Sequence, residues 1–327
     1  METQTGKTAL ITGATSGIGY ELAKLFAKDG YNLVLTARHE DRLNEVAEEF
    51  RQEGGQQVTV IAKDLMDPKA AEEIYDETRR RDIQVDVLVN NAGMGEYGMF
   101  ATETDLHKEL GIIQLNLTSL VHLSKLYLKD MIQRNDGKIL MLASVVSVLP
   151  NPLMAVYGAT KSFVYSFSEA LRNELKDTNI TVTALLPGAT NTDFFAKAGA
   201  EGTRAHQQAQ NTDAAGVAKD GYEALMKGKD KVISGFMNKA QVAMAHFLPD
   251  EVVTANTRKL MERPGMELES EHEKESDNLL PYVLVGMLAT TALIWAFSEN
   301  LSWYDKARYR YKARSMKNSL MDALHLN

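Results

Sequence analysis

Tyr157 and Lys161 form the pair in this sequence whose types and spacing could do acid–base chemistry. They lie in a stretch that predicts one helix over residues 155–175, and a spacing of four places both side chains on the same face. A tyrosine ordinarily titrates near ~10, which is too high for proton exchange at neutral pH. A lysine cation beside it is expected to lower that pKa because it favours the phenolate. The pair could then exchange a proton at a carbinol carbon, although the same spacing occurs on many ordinary surface helices.

A glycine-rich turn near the N-terminus predicts a nucleotide site. A short apolar strand over residues 8–12 runs into Thr-Gly-Ala-Thr-Ser-Gly-Ile-Gly at 12–19, followed by a helix over 17–28 and a strand over 32–36. This order is a βαβ unit of the dinucleotide-binding type. Gly13 permits the tight turn, whereas Gly17 and Gly19 are expected to let the backbone approach a pyrophosphate at the helix N-terminus. The alternative interpretation is an ordinary glycine-rich loop.

The elements that must position these residues alternate between strand and helix along the chain. Further strands are predicted at 58–63, 85–89, 138–143, 180–186 and 231–234, separated by helices at 40–53, 68–81, 102–133, 155–175 and 212–227. Such alternation predicts an α/β fold with a doubly wound parallel sheet of Rossmann type, here seven-stranded. One or two further helices over 241–263, interrupted at Pro249, form a C-terminal helical extension.

The turn has the spacing Gly-x-x-x-Gly-x-Gly with Thr12 in front, and this resembles the short-chain dehydrogenase/reductase family. Asp64-Leu65, the run Asn90-Asn91-Ala92-Gly93, an asparagine within a helix, a serine thirteen residues before Tyr157, and Pro187-Gly188 extend the resemblance over roughly residues 6–240. The resemblance implies NAD(P)-dependent oxidoreductase activity on CH–OH and C=O groups. It also implies a catalytic tetrad of Asn116, Ser144, Tyr157 and Lys161.

Each member of the tetrad has an implied role. Ser144 would polarise the carbonyl oxygen, and Tyr157 would protonate it or deprotonate the alcohol. Lys161 would lower the tyrosine pKa and hold the nicotinamide ribose, and Asn116 would relay protons through water. Taken singly, Ser144 could instead be a helix cap, and Asn116 a tolerated polar residue of a helix.

The resemblance further implies a nucleotide-binding set. At the end of the second strand, where an NAD enzyme places an acid against the ribose, this sequence has Thr36-Ala37-Arg38. Because arginine can pair with a 2′-phosphate, NADP is favoured over NAD, the alternative being a solvated arginine. The implied set is Thr12, Gly13, Thr15, Ser16, Gly17, Ile18, Gly19, Arg38, Asp64, Leu65, Asn90, Asn91, Ala92, Gly93, Tyr157, Lys161, Pro187, Gly188, Thr190 and Thr192.

The expected substrate is a hydrophobic ketone or secondary alcohol, fatty-acyl or steroid-like, because the residues around the expected site are mostly apolar. Residues 193–211 are expected to hold a substrate loop with Phe194 and Phe195 as walls. The alternative to an oxidoreductase function is a non-catalytic NADP-binding regulatory or membrane-tethered scaffold protein. Family members commonly pair two long helices, here near 115–128 and 163–175, so a homodimer or homotetramer is expected. The mostly apolar residues around the expected substrate site are Met94, Tyr97, Met99, Val145, Val146, Leu149, Leu153 and Met154.

Composition excludes other classes of protein. The net charge is −8 and the sequence offers no broad basic face, which argues against nucleic acid as a partner. Without cysteine, there can be no disulfide, thiolate catalyst or cysteine-based metal site. The seven histidines are scattered without ligand spacing, so no metal site is expected. Because a polar start leads directly into a strand, with no secretory signal between them, a cytoplasmic protein is expected.

The C-terminal part predicts a change of character after a dinucleotide-binding domain at 1–263. An acidic linker is predicted at 264–278, a hydrophobic helix at 279–298 and a basic tail at 299–327. The uncharged run 279–297 could span about 28 Å as a helix, which approaches the thickness of a bilayer core. Membrane contact through 279–317 is therefore one interpretation. A single crossing conflicts with a cytoplasmic basic tail and a cytoplasmic enzyme domain, so an interfacial helix and a helix buried at an oligomer interface stay open.

Overall fold

The computed structural model describes residues 6–54, 57–245 and 248–265. Within them, seven parallel strands form one sheet, as predicted, and their order is β3-β2-β1-β4-β5-β6-β7. The strand order reverses between β1 and β4, and ligands bind at the carboxyl ends of strands beside such a reversal. The strands are β1 Thr8–Thr12, β2 Asn32–Ala37, β3 Val58–Ala62, β4 Val87–Asn90, β5 Gly137–Leu142, β6 Ile180–Leu186 and β7 Lys231–Ile233.

Helices cover both faces of the sheet, which explains why its strands are apolar runs rather than alternating sequences. Neighbouring residues of β1 show the arrangement: Ile11 packs with Phe26 in the core on one face, and Leu10 packs with Met131 in the core on the other. The helices are α1 Gly17–Lys28, α2 Glu40–Gly54, α3 Ala70–Arg80, α4 Leu106–Ile113, α5 Ser119–Arg134, α6 Ala155–Glu174, α7 Phe194–Lys197, α8 Arg204–Ala209, α9 Ala214–Met226, α10 Phe236–Ala245 and α11 Asp250–Met261.

The long helix predicted at 102–133 is interrupted. It begins only at α4, where the Asp105 carboxylate accepts a hydrogen bond from the Lys108 backbone N–H at 3.0 Å. A π-helical turn over Gln114–Thr118 then separates α4 from α5. This turn contains the buried Asn116, whose amide bonds to groups outside its own helix. A wider turn re-aims a side chain, as π-helical turns at functional sites commonly do.

Residues 193–211, predicted as an irregular substrate loop, contain the two short helices α7 and α8. They pack with the end of α11 in a small apolar cluster separate from the two main cores. The predicted interruption at Pro249 is observed, since α10 ends before it and α11 follows it. The C-terminal extension is thus two helices, the second of which reaches back over the carboxyl ends of the strands.

The predicted acidic linker beyond Gly265, the hydrophobic helix at 279–298 and the basic tail at 299–327 lie outside the described residues. In the described ranges, none of the helices combines the length and the apolar character that a membrane crossing needs. The same ranges contain no group of three or more histidine, aspartate or glutamate side chains arranged to hold a metal ion.

Candidate active site

A cavity of about 460 Å³ lies at the carboxyl ends of the strands. It brings together residues from every motif found in the sequence, although these are spread over 180 positions of the chain. The predicted site residues that line it are Gly13, Thr15, Ser16, Gly17, Ile18, Gly19, Arg38, Asp64, Leu65, Asn91, Ala92, Gly93, Ser144, Tyr157, Lys161, Pro187, Gly188, Thr190 and Thr192. Three others, Thr12, Asn90 and Asn116, are buried behind its wall.

Thr12 ties the glycine-rich turn to the segment after β4. Its hydroxyl oxygen accepts hydrogen bonds from the backbone N–H groups of Asn91 and Ala92, each at 2.9 Å, and donates to the Val89 carbonyl at 3.2 Å. The Asn91 side chain returns a hydrogen bond to the Thr12 carbonyl at 2.8 Å. Asn90 donates to the Ser124 hydroxyl at 2.9 Å. Thr12 and Asn90 therefore hold the cavity wall in shape rather than face its interior.

The glycines of the turn meet two different needs. Gly13 has a φ of 66°, a conformation in which a side chain is strained, and so permits the tight turn as predicted. A Cβ on Gly19 would clash with the Gly13 carbonyl and with the Asn91 amide. Gly19 is thus required by packing within the turn, in addition to lining the cavity, and this requirement was not part of the sequence prediction.

The start of α1 offers backbone donors to the cavity. Gly17, Ile18 and Gly19 line it, and the Ser16 side chain makes no capping hydrogen bond to them. The first N–H groups of a helix lack intrahelical partners, and the helix dipole favours an anion there. This arrangement fits the pyrophosphate of a dinucleotide.

The end of β2 presents a cation to the cavity. Arg38 is exposed, and its Nε donates to the ring nitrogen of His39 at 3.0 Å. Thr36 and Ala37 stand before it in the cavity wall, where an NAD enzyme would place an acid. Beside them, just after β3, lies Asp64, whose carboxylate accepts from the Met66 backbone N–H at 3.0 Å. An exposed guanidinium therefore stands at the end of β2 in the cavity wall.

Ser144, Tyr157 and Lys161 converge on the middle of the cavity, from the end of β5 and the first turns of α6. Lys161 is only 4% exposed, and its Nζ donates to the Leu142 carbonyl at 2.7 Å. The same Nζ lies 5.8 Å from the centre of the Tyr157 ring. The predicted same-face placement of the pair is therefore observed.

The prediction that Lys161 lowers the pKa of Tyr157 is wrong for this structure. Burial raises the pKa of the Tyr157 phenol to about 12, and the neighbouring Ser144 hydroxyl only partly opposes that rise. Burial also lowers the pKa of Lys161 to about 8. The reason is that burial has removed water from both groups, which is the largest influence on both pKa values, while the Lys161 Nζ donates to the Leu142 carbonyl.

Asn116 lies behind the cavity wall and joins the loop after β4 to α6. Its Nδ2 donates to the Met94 carbonyl and to the Thr160 hydroxyl, both at 3.0 Å, and its Oδ1 accepts from the Met94 N–H at 3.1 Å. Gly93 separates it from Lys161, since a Cβ on Gly93 would lie 3.3 Å from Asn116 Oδ1 and 3.4 Å from Lys161 Nζ. Asn116 thus stands next to the lysine with its amide bonded to the protein.

The rest of the cavity is largely apolar, as predicted. Phe194 lies with its ring centre 5.0 Å from that of Tyr157, and Phe195 is buried beside it. Of the eight apolar residues predicted around the site, four line the cavity and four pack behind it or on the surface. The lining four are Met94, Val145, Val146 and Met154, and the others are Tyr97, Met99, Leu149 and Leu153.

Sequence reasoning missed Asn151, Ala205 and Met261 as cavity residues. Met261 has a weak signal, because Val253, Thr257 and Met261 recur at a spacing of four and are the buried residues of α11. That spacing predicts a buried face of a helix but not what the face covers. Ala205 and Asn151 have no local signal of this kind.

A family model described as short chain dehydrogenase matches residues 7–202. Sulfoacetaldehyde reductase 2 of Chromohalobacter salexigens is 39% identical over 186 residues, which is 57% of this chain and 73% of that protein. The very-long-chain 3-oxoacyl-CoA reductase of Rattus norvegicus is 37% identical over 187 residues, 56% of this chain but only 59% of that protein. Because the family match covers more than half of the chain, the chain belongs to the short-chain dehydrogenase family of oxidoreductases.

Solved structures agree with this assignment. A short-chain dehydrogenase from Sphingobium yanoikuyae in complex with NADPH has a TM-score of 0.67 and 30% identity, covering 81% of this chain and 99% of that one. A short-chain dehydrogenase/reductase from Burkholderia phymatum in complex with NAD has a TM-score of 0.67 and 25% identity, covering 83% and 100%. The two neighbours hold different cofactors, so the likeness extends to NAD(P) binding without deciding between them.

Proposed function

We propose that this protein is an NADP-dependent reductase that transfers hydride reversibly between NADP(H) and a hydrophobic ketone or secondary alcohol. The observation that carries the proposal is the convergence of Ser144, Tyr157 and Lys161 on one cavity. The wall of that cavity is formed by the glycine-rich turn and by apolar side chains. Positioned acid–base groups beside a nucleotide site are what carbonyl reduction requires of the protein.

The side chains have separate tasks in this proposal. The nicotinamide, when bound, supplies the hydride. The Ser144 hydroxyl hydrogen-bonds the substrate oxygen and stabilises its developing charge. Tyr157 donates the proton to the substrate oxygen. Lys161 holds the nicotinamide ribose, and Asn116 connects this lysine to solvent through water.

NADP is the proposed cofactor. The first turn of α1 would hold the pyrophosphate, and Arg38 would pair with the 2′-phosphate in a charge-assisted contact. Residues after β6 would hold the nicotinamide carboxamide; these are Pro187, Gly188, Thr190 and Thr192, all of which line the cavity. The exposed guanidinium of Arg38 at the end of β2 supports NADP over NAD.

A fatty-acyl or steroid-like substrate is favoured by the apolar walls around Tyr157, such as Met154, Phe194 and Phe195. The name of the rat relative, a very-long-chain 3-oxoacyl-CoA reductase, is consistent with such a substrate. Sulfoacetaldehyde, in the name of the bacterial relative, is small and anionic, and a wall of this kind provides little for it. We therefore favour the hydrophobic class.

The experiment is a screen of hydrophobic ketones that follows NADPH oxidation by the full-length protein and by Tyr157→Phe. The variant keeps the ring but removes the transferable proton, so turnover is expected to fall by a factor of about 10² or more. NADPH affinity is expected to stay within about twofold, because the ring still packs against Phe194. Near-normal turnover in Tyr157→Phe would refute the assignment. Tight NADPH binding without turnover of any ketone would support the alternative, a non-catalytic regulatory or scaffold protein.

A further inference from the structure

The apolar end of the cavity is lined by segments from outside the family's sequence motifs. Residues 194–209, which contain α7 and α8 and which we call the cover, supply Phe194, Phe195 and Ala205. The last residue of α11, Met261, is 6% exposed and lines the same end. Met261 packs in one cluster with Phe195 and Met154, and Tyr157 packs against the same cluster, so the end of α11 forms part of the wall near the proposed catalytic groups.

Arg263 joins three of these segments with one side chain. Its Nη2 donates to the Gly199 carbonyl at 2.9 Å, and its Nε donates to the Glu201 carbonyl at 3.1 Å. Both carbonyls belong to the turn between α7 and α8 within the cover. The guanidinium carbon lies 5.1 Å from the centre of the Tyr97 ring, on the loop that follows β4. A planar guanidinium can make two directed hydrogen bonds and stack on an aromatic ring at once, which an ammonium cannot.

Backbone hydrogen bonds complete the connection. The Tyr97 N–H donates to the Ala198 carbonyl at 2.9 Å, which joins the loop after β4 to the cover. The Arg204 N–H donates to the Glu262 carbonyl at 3.1 Å, which joins the cover to the end of α11. Arg263 itself does not line the cavity, so any influence it has on a substrate passes through the cover and Tyr97.

We propose that Arg263 is a positioning residue that holds the cover over the apolar end, and that Met261 limits the length of substrate accepted there. This inference deepens the proposed reductase function and rests on it. Loss of the guanidinium frees the turn at 199–201 and Tyr97 together, which loosens the wall around Phe194 and Phe195. The nucleotide end of the cavity, formed by the turn at 13–19, is untouched by these contacts.

Hydrogen exchange tests whether Arg263 holds the cover, and it does so without reference to activity. In full-length protein, Arg263→Met is expected to speed amide exchange in residues 194–209 by about tenfold while residues 155–174 exchange as in the wild type, because only local opening changes. Arg263→Lys is expected to be intermediate. The control is Lys259→Ala, which removes an exposed charge from the same helix but keeps the Lys259 backbone carbonyl, the group that accepts from Arg204 of the cover at 3.1 Å. Unchanged exchange in 194–209, or equal acceleration throughout the chain, would overturn the inference.

Kinetics with a series of methyl ketones, from 2-butanone to 2-dodecanone, test the effect on substrates. Arg263→Met is expected to raise KM for the longer ketones about tenfold with kcat and NADPH affinity within about twofold, the pattern of lost binding rather than lost chemistry. Met261→Ala should move the best chain length upward, and Met261→Phe should move it downward. A fall in kcat alone, or no shift with either Met261 variant, would overturn the inference.

Failure of the proposed function has a different signature. If the wild type reduces no ketone at all, the reductase proposal fails, and exchange in residues 194–209 alone decides whether Arg263 holds the cover. If ketones are reduced in a Tyr157-dependent way while the Arg263 and Met261 variants behave as the wild type, only the inference about the cover fails.

Discussion

Burial is the dominant physical effect on the two residues with which the sequence analysis began. The Lys161 Nζ lies 5.8 Å from the centre of the Tyr157 ring. Even so, the pKa of Tyr157 is raised and that of Lys161 is lowered, because the removal of water favours the neutral form of both groups. The lysine cation is stabilised by the Leu142 carbonyl instead. Arg38 is the opposite case, an exposed cation at the end of β2 whose Nε donates to the ring nitrogen of its neighbour His39. Substitution of the buried Lys161 is therefore expected to change stability, whereas substitution of the exposed Arg38 is expected to change cofactor binding.

Lys161→Met should change how stability depends on pH. The pKa of Lys161 is lowered from 10.5 to about 8, so at pH 7 the folded protein holds an unfavourable buried cation that costs up to about 3 kcal/mol. Between pH 8 and 10.5 the unfolded chain binds more protons at this residue than the folded one, so the wild type gains stability as pH rises. Lys161→Met is therefore expected to be more stable than the wild type at pH 7. Unfolding free energies measured by denaturant at pH 7, 8.5 and 10 should show this difference shrinking by about 2–3 kcal/mol as the pH rises. Lys219→Met, at an exposed position, is the control. Parallel pH profiles for Lys161→Met and wild type would contradict this.

Arg38→Ala should weaken NADPH binding specifically. Loss of a charge-assisted contact to the 2′-phosphate is expected to cost roughly 1.5–3 kcal/mol, while NADH binding stays nearly unchanged. Fluorescence titration with both cofactors measures the difference. Arg42→Ala is a matched control, since that exposed arginine on α2 pairs with Glu45 and does not line the cavity. Equal losses for the two cofactors, or none, would mean that Arg38 does not contact the phosphate.

At the scale of elements, α4 has one buried face and one face that exposes apolar side chains. Its buried side carries Ile112, while Leu106, Leu110 and Ile113 recur at helical spacing on its exposed side. Phe163 is exposed on α6, which packs against α4. Exposed apolar side chains gathered on adjacent helices are typical of a protein interface. We propose that a second copy of the chain covers them.

Leu110→Asp should dissociate that assembly. Leu110 is 53% exposed, and a carboxylate there would have to be buried without a partner on association. Sedimentation velocity of the wild type at micromolar concentration should show a dimer or tetramer, and the variant should sediment as a monomer. Met237→Asp, at a 75% exposed residue on α10, is the control and should assemble as the wild type does. A monomeric wild type, or dissociation only by Met237→Asp, would place no interface on α4.

The whole chain has an acidic balance of −8 and yet ends in a basic stretch. The sequence has no charge in residues 279–297, and the six basic residues that follow are Lys306, Arg308, Arg310, Lys312, Arg314 and Lys317. These residues lie outside the described part of the chain, so membrane contact is a proposal from sequence alone. Apolar burial would contribute about 25 cal/mol per Å², and each basic residue near an anionic surface would contribute about 1 kcal/mol.

Flotation with anionic vesicles should separate the two contributions, because salt screens only the second. The full-length protein should float and stay largely bound at high salt. A variant with Leu288→Arg and Ile294→Arg should be released, since it places charge in the uncharged run. Release of the wild type by salt alone would leave only the basic tail as an anchor. Absence of binding at any ionic strength would end the membrane proposal.

The sequence by itself determined the seven-stranded parallel sheet and most of the cavity residues. This was so because the information is local: apolar runs set the strands, and the glycine-rich turn and the Tyr157–Lys161 spacing each lie within a few residues. Once parallel strands are placed, their carboxyl ends meet at one edge, and motifs at those ends come together.

The tertiary structure alone decided which residues line the apolar end and how burial shifts the pKa values of the proposed catalytic groups. Met261 and Arg263 reach the cover from a helix that begins after Pro249, and no local pattern states what that helix faces. The pKa of Tyr157 follows from its burial, to which the packed Phe194 ring contributes, and from the partly opposing Ser144 hydroxyl. Burial and orientation are set by residues far apart in the chain, so spacing within one helix could place this pair but could not give its pKa values.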